Sequence, residues 1–180
     1  MAEYVALLRG INVGGKNLIS MQALADCFRT AGYEGVHTYI QSGNVMFASD
    51  SPSAAGLEDA LERLLQQRFD TPIPTIVRSR VELAATIAAA PADHGSKELR
   101  SDVFFLKQPL TAVGVIAQMP ELREGVDSIS PGPGALYFSR TAAQASKTRI
   151  TRLFGMPVFQ QMTVRSWRTT TRLLELIEKN

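Results

Sequence analysis

In the first half of the chain, segments with the hydrophobic pattern of a strand and segments with that of a helix follow one another in a regular order. Residues 4–8 form a short, continuous apolar run typical of a central strand. Apolar residues at helical spacing predict one helix between Ser20 and Gly32 and another over residues 57–69. Further strands are predicted over residues 36–40, 44–48 and 73–77. This β-α-β-β-α-β order is that of a ferredoxin-like unit, in which both helices pack on one face of an antiparallel sheet.

The second half repeats this order of elements with weaker periodicity. Strands are predicted over residues 103–106, 126–130, 135–138 and 162–165, and helices over residues 110–119 and 146–154. Thr169 is the predicted N-cap of a final helix. We therefore predict an α+β fold of two ferredoxin-like βαββαβ subdomains, with antiparallel sheets, helices packed on one face and a C-terminal helix. The expected boundaries are an N-terminal subdomain over residues 1–79, a helical linker over 80–100 and a C-terminal subdomain over 101–180.

Charge is distributed unevenly along an otherwise ordinary globular composition of 45% hydrophobic and 20% charged residues. Residues 1–139 carry 11 basic and 15 acidic side chains, whereas residues 140–180 carry 8 basic and 2 acidic ones. A basic C-terminal segment attracts an anionic partner such as nucleic acid, a phosphate or a carboxylate. The alternative is that Arg149, Arg152 and Arg172 form the solvent-facing sides of amphipathic helices.

Several classes of function find no support in the sequence. No apolar run approaches the ~18 residues that a membrane helix needs, so we expect no membrane partner. Cys27 is the single cysteine and lies on the apolar side of a predicted helix. His37 and His94 have no partner at metal-ligand spacing, so we expect no metal and no other cofactor. These features favour a cytoplasmic location.

The loop after the first strand partly matches a phosphate-binding loop. Residues 10–16 fit G-x-x-x-x-G-K, but Asn17 replaces the hydroxyl residue that binds magnesium, and two residues separate it from the helix cap. A nucleoside triphosphatase is therefore disfavoured. A milder hypothesis is that Gly14 and Gly15 present backbone amides to an anion, with Arg9 and Lys16 adding positive charge. The alternative is a glycine-rich connection with solvated basic side chains.

Three motifs resemble a known bacterial family. They are YVALLRGINVGGKN at residues 4–17, TYIQSGNV at residues 38–45 and TVRSWRT at residues 163–169. Together they resemble the family called domain of unknown function 1697, and the resemblance extends over nearly the whole chain. It implies an uncharacterised cytosolic α+β protein of two similar subdomains and no established activity. Ser166 and Arg168 depart from the family pattern, which has asparagine at both positions.

Our leading hypothesis is a binding module for a small anionic ligand that carries a phosphate or a carboxylate. Its residues come from the three motifs and from one lysine near the start of the predicted helix 146–154, where a cation is unfavourable unless an anion lies nearby. The candidate ligand-binding residues are Arg9, Asn12, Gly14, Gly15, Lys16, Gln41, Ser42, Asn44, Lys147, Arg165 and Trp167. For Arg165 the alternative is an ion pair, for Trp167 a packing anchor, and for residues 41–44 a hairpin turn.

Two other classes of function remain as alternatives. One is an enzyme that acts on a phosphorylated or carboxylate substrate with Lys16 or Lys147 as the electrophilic group, although the sequence identifies no general acid or base. The other is an interaction module in which the basic segment binds nucleic acid or an acidic protein. Nucleic acid is the weaker partner, because the strand at residues 44–48 has one aromatic residue and lacks the RNA-binding pattern.

Overall fold

A computed structural model describes residues 1–179, and within them the chain forms eight strands and six α-helices. The strands are β1 (Ala2–Leu8), β2 (Glu34–Tyr39), β3 (Asn44–Ser49), β4 (Thr75–Ser79), β5 (Leu99–Leu106), β6 (Asp127–Gly132), β7 (Ala135–Thr141) and β8 (Met162–Ser166). The helices are α1 (Met21–Thr30), α2 (Ala54–Phe69), α3 (Arg80–Ala88), α4 (Ala112–Ile116), α5 (Thr151–Phe154) and α6 (Trp167–Ile177). Two 3₁₀ helices occupy Ala142–Lys147 and Pro157–Gln161.

The chain divides into two units. The first contains residues 1–83 together with the chain end from Leu173, and the second contains residues 84–172. The second half of α6 therefore groups with the first unit, although the strand before it belongs to the second.

The first unit is a four-stranded antiparallel sheet in the order β2-β3-β1-β4. Ala6 in the central strand lies opposite Val45 on one side and Val77 on the other. These side chains share a buried cluster with Phe28 of α1 and Leu61 of α2, so the apolar face of each helix packs on this sheet. The ferredoxin-like arrangement that the sequence pattern predicts is confirmed here.

The second unit repeats this topology in the order β6-β7-β5-β8. Its buried cluster includes Phe104 of β5, Phe138 of β7 and Leu153 of α5. Backbone hydrogen bonds at the end of the central strand match between the units. In the first unit the N–H groups of Leu8 and Arg9 donate to the carbonyls of Gly43 and Pro74. In the second unit the N–H groups of Leu106 and Lys107 donate to the carbonyls of Gly134 and Gln161. The two units are thus similar in hydrogen-bond register as well as in element order.

Helices of the second unit differ from their predicted lengths. In place of a helix over residues 110–119, α4 has five residues, because Thr111 caps it late and Gly114 and Pro120 disfavour a longer one. The predicted helix 146–154 is interrupted by extended backbone at Thr148. The carboxylate of Asp127 accepts hydrogen bonds from the Thr148 hydroxyl and the Arg149 N–H, which diverts both residues from helical pairing.

Two expectations about helix ends are wrong. Ser166 rather than Thr169 caps the final helix, because the Ser166 hydroxyl accepts a hydrogen bond from the Thr169 N–H at 3.2 Å. Lys147 does not begin a helix. It lies in the last turn of a 3₁₀ helix, where a cation is favourable, so its position gives no indication of a nearby anion.

Candidate functional site

The loop after β1 forms a small hairpin, which we call the glycine hairpin (residues 12–17). The Lys16 N–H donates to the Val13 carbonyl at 3.0 Å, and Gly14 and Gly15 between them have φ angles of +59° and +73°. Two successive positive φ values define a tight hairpin turn that glycine adopts without steric cost. Because α1 begins only at Met21, the loop does not have the geometry of a phosphate-binding loop.

The side chain of Asn12 connects the glycine hairpin to the turn between β2 and β3 through hydrogen bonds. Its Nδ2 donates to the carbonyl oxygens of Gln41 at 2.8 Å and Ile19 at 3.0 Å, and its Oδ1 accepts from the Ile19 N–H at 2.8 Å. The Asn12 backbone has a φ of +54°, a left-handed conformation that asparagine tolerates better than most residues. One side chain therefore joins two loops that are distant in the sequence.

The β2–β3 turn (residues 40–43) depends on Gly43. A Cβ atom there would lie 2.6 Å from Ile11 Cδ1, and its φ is +90°, so only glycine fits. The side chain of Asn44 is fully buried and donates from Nδ2 to the Tyr39 carbonyl at 2.8 Å. We therefore assign Asn44 to support of the turn, which leaves Gln41 and Ser42 as its accessible polar side chains.

Two basic residues, Arg9 and Lys16, belong to the segment that leads from β1 into the glycine hairpin. Lys16 is exposed and Arg9 is half-buried, and burial lowers the pKa of the Arg9 guanidinium. Residues 4–25 and 35–49, which include both loops, contain no aspartate or glutamate. We call Arg9, the glycine hairpin, Leu18 and the β2–β3 turn the loop surface. It combines two cationic residues with uncharged amide and hydroxyl groups.

Three of the predicted residues lie in the second unit. Lys147 is exposed, and Arg165 on β8 has only 7% of its side chain exposed. The Arg165 Nη1 donates to the Val164 carbonyl at 3.0 Å, and burial lowers the pKa of its guanidinium to about 10. Trp167 is half-buried at the start of α6. The structure thus brings the first two motifs together in one unit and places the third in the other.

A second polar cluster, which the sequence analysis missed, surrounds His94. Its Nδ1 lies 3.1 Å from Ser139 Oγ, which in turn is 2.7 Å from Ser101 Oγ. Its ring meets that of Trp167 edge-on, with 4.8 Å between centroids. Within residues 1–179, the buried Nε2 of His94 has no hydrogen-bond partner. Burial lowers the pKa of this imidazole, and the Asp102 carbonyl and the Asp93 charge act in the opposite direction.

The His94 cluster has no signature in the sequence. His94 belongs to the loop before β5, and its neighbours come from β5, β7 and α6. The cavity beside it has a volume of about 190 Å³.

Across the described part of the chain, no three His, Cys, Asp or Glu side chains are grouped so that they could hold a metal ion. Nor does any helix within residues 1–179 have the length and apolar character needed to span a membrane.

The fold is that of a two-unit α+β protein, in which each unit is built on a four-stranded antiparallel sheet. Residues 1–137 match the family described as protein of unknown function DUF1697, and the chain belongs to that family. Its structure is similar to that of the conserved bacterial protein SP0830 from Streptococcus pneumoniae, with a TM-score of 0.86, 28% identity and 98% of each chain covered. No curated protein matches the chain. The third sequence motif, at residues 163–169, lies outside the matched range.

Proposed function

We propose that the protein is a binding module that recognises a small phosphate- or carboxylate-bearing ligand at the loop surface. The observation that carries this proposal is the set of hydrogen bonds made by the Asn12 side chain. Through them, the exposed Lys16 and the β2–β3 turn belong to one ordered surface. Rigid positioning of loop groups by a folded framework is typical of ligand-binding sites.

The chemistry of this surface suits an oxyanion. Lys16 provides an ammonium group with three donors, and Gln41 and Ser42 provide further amide and hydroxyl donors. Gly14 and Gly15 have no side chains, so a ligand can approach the backbone closely. Residues 4–25 and 35–49 contribute no carboxylate of their own that would repel an anion.

The test is isothermal titration calorimetry with inorganic phosphate and with succinate at low ionic strength. Lys16→Ala is expected to weaken binding about 3- to 10-fold, which corresponds to roughly 1 kcal/mol for one charge-assisted contact. Asn12→Gly keeps the positive φ but removes the side chain that joins the loops, so it should weaken binding to a similar extent. Lys97→Ala removes an exposed lysine of the second unit and serves as the matched control.

Two results would contradict the proposal. One is the absence of heat and of saturable binding with either anion. The other is an equal loss of affinity in Lys16→Ala and Lys97→Ala, which would mean that only the overall charge matters. Raising the salt concentration should weaken genuine binding, because the contacts are exposed to solvent.

A further inference from the structure

The loop surface exposes three large aliphatic side chains. Leu18 is 75% exposed, Val13 63% and Ile40 46%. Val13 pairs with Lys16 across the glycine hairpin, and Leu18 and Ile40 directly precede Ile19 and Gln41, the two residues that Asn12 joins. Single exposed aliphatic residues are common on protein surfaces, but three of them on one small set of joined loops are more than a scattered distribution gives. Lys16, the bridge partner of Val13, belongs to the same loops.

Ile40 is held in a conformation that its side chain disfavours. Its φ is +51°, in the left-handed region that β-branched residues rarely adopt. Glycine or asparagine at this position would form the same turn with less strain. The isoleucine side chain gains little burial in return, because 46% of it remains exposed. Strain combined with exposure is typical of a residue that contacts something outside the protein.

We infer that the ligand of this surface is an amphiphilic anion, in which a phosphate or carboxylate group is joined to a short aliphatic chain. The inference rests on the proposed function and adds the chemistry of the rest of the ligand. The anionic group contacts Lys16, and the aliphatic chain lies across Val13, Leu18 and Ile40, which removes apolar surface of both partners from water. The ligand is a soluble, single-chain molecule rather than a membrane surface, because membrane surfaces attract polybasic clusters and the loop surface carries two cationic residues.

The experiment compares inorganic phosphate, butyl phosphate and octyl phosphate by calorimetry, each below the concentration at which it forms micelles. Affinity is expected to rise roughly twofold for each added methylene. This increase corresponds to about half of the free energy of complete methylene burial, because a chain that lies on a surface stays partly exposed to water. Leu18→Ser should flatten this dependence on chain length without changing the affinity for inorganic phosphate. Val113→Ser, at a residue that is 71% exposed on α4 of the second unit, is the matched control and should leave the dependence unchanged.

The outcomes separate this inference from the proposed function. Equal affinity for all three phosphates, lost in Lys16→Ala, would overturn the inference and leave the anion site standing. Binding of none of them would overturn both. A flattened dependence in both Leu18→Ser and Val113→Ser would show non-specific adsorption and would also overturn the inference. A final arm uses phosphatidylcholine vesicles containing phosphatidylserine: binding to these vesicles without binding to octyl phosphate would overturn the soluble ligand in favour of a membrane surface.

Discussion

The two units use the same short motif at the same place in their sheets. Val77-Arg78-Ser79 ends β4 and Val164-Arg165-Ser166 ends β8, and a helix follows each directly. Each arginine lies opposite a valine of the central strand, and each donates from Nη1 to the carbonyl of the residue before it, at 2.9 Å for Arg78 and 3.0 Å for Arg165. The backbone framework is therefore repeated in detail.

The surroundings of the two arginines differ. Three N–H groups along β4 donate to carboxylates: Thr75 to Glu62, Val77 to Glu58 and Ser79 to Glu82. Glu58 also lies 3.5 Å from Arg78 Nη1. Burial lowers the pKa of Arg78, and Glu58 and Glu82 oppose that effect; burial lowers the pKa of Arg165 to about 10. The same fold thus holds the same side chain in two different electrostatic environments.

This comparison bears on the predicted role of Arg165. In the first unit, an equivalent arginine is buried, contacts the backbone of its own strand and lies outside the loop surface. The arginine at this position is therefore a feature that both units share, and the ligand-binding role of Arg165 stays a prediction. A residue that is repeated at the same position of both units is evidence for the fold that they share, and is not by itself evidence for a ligand.

The largest expected effect comes from removing a carboxylate from β4. Glu58→Leu should lower the free energy of unfolding by about 3–5 kcal/mol, because it takes away the acceptor for the Val77 N–H and the counter-charge of a buried guanidinium. Urea denaturation measures the change. Glu3→Gln removes a partly exposed ion pair with Arg80 and should cost less than about 1 kcal/mol. Similar losses for the two variants would contradict the importance of the buried pair.

Close packing against Trp167 is expected to have the next largest effect. In Gly95→Ala, the new Cβ would lie 2.2 Å from Trp167 Cδ1 on a backbone with φ of +86°, so we expect a loss of about 2–4 kcal/mol. Gly125→Ala has a similar φ of +75° but open space, and should cost only about 1 kcal/mol. The fluorescence of the single tryptophan can follow both unfolding transitions. Equal losses would show that backbone strain alone decides the outcome.

The helix caps give a smaller and directly matched comparison. Ser79 and Ser166 accept hydrogen bonds from the N–H groups of Glu82 and Thr169, so Ser→Ala at either position should cost about 1 kcal/mol. The units should differ at the third helical residue, because Glu82 also accepts from the Ser79 N–H at 2.7 Å. Glu82→Ala is therefore expected to destabilise more than Thr169→Ala in thermal unfolding. The reverse order would mean that the reciprocal bond contributes nothing.

The smallest effect is a pH dependence carried by the second unit. Burial lowers the pKa of His94 below its ordinary value of 6.5, so the unfolded chain takes up a proton at a higher pH than the folded chain does. Stability should therefore fall as the pH drops below about 6.5, until the folded-state pKa is reached. His94→Gln should remove this dependence, and His37→Gln, at an exposed position on β2, should keep it. Unfolding midpoints between pH 7 and pH 5 measure the slope.

Local patterns in the sequence were sufficient for the framework. Continuous apolar runs predicted the central strands, and helical spacing with a capping serine predicted α1, because strand and helix periodicities are properties of neighbouring residues. The order of elements then predicted two ferredoxin-like units, which the structure confirms. Prediction was poorest for the lengths of the helices in the second unit. At residues 146–154 the reason is a distant carboxylate, that of Asp127, which binds Thr148 and Arg149.

Tertiary structure alone decided which polar groups meet. Asn12 and Gln41 are 29 residues apart, and His94 and Ser139 are 45 apart, so no spacing rule connects them. Exposure was equally hidden: Asn44 and Gln41 belong to one motif, yet one is fully buried and the other is exposed. The physical reason is that the sequence carries the hydrophobic periodicity of each element, whereas contacts between side chains depend on which strands pair and in which register.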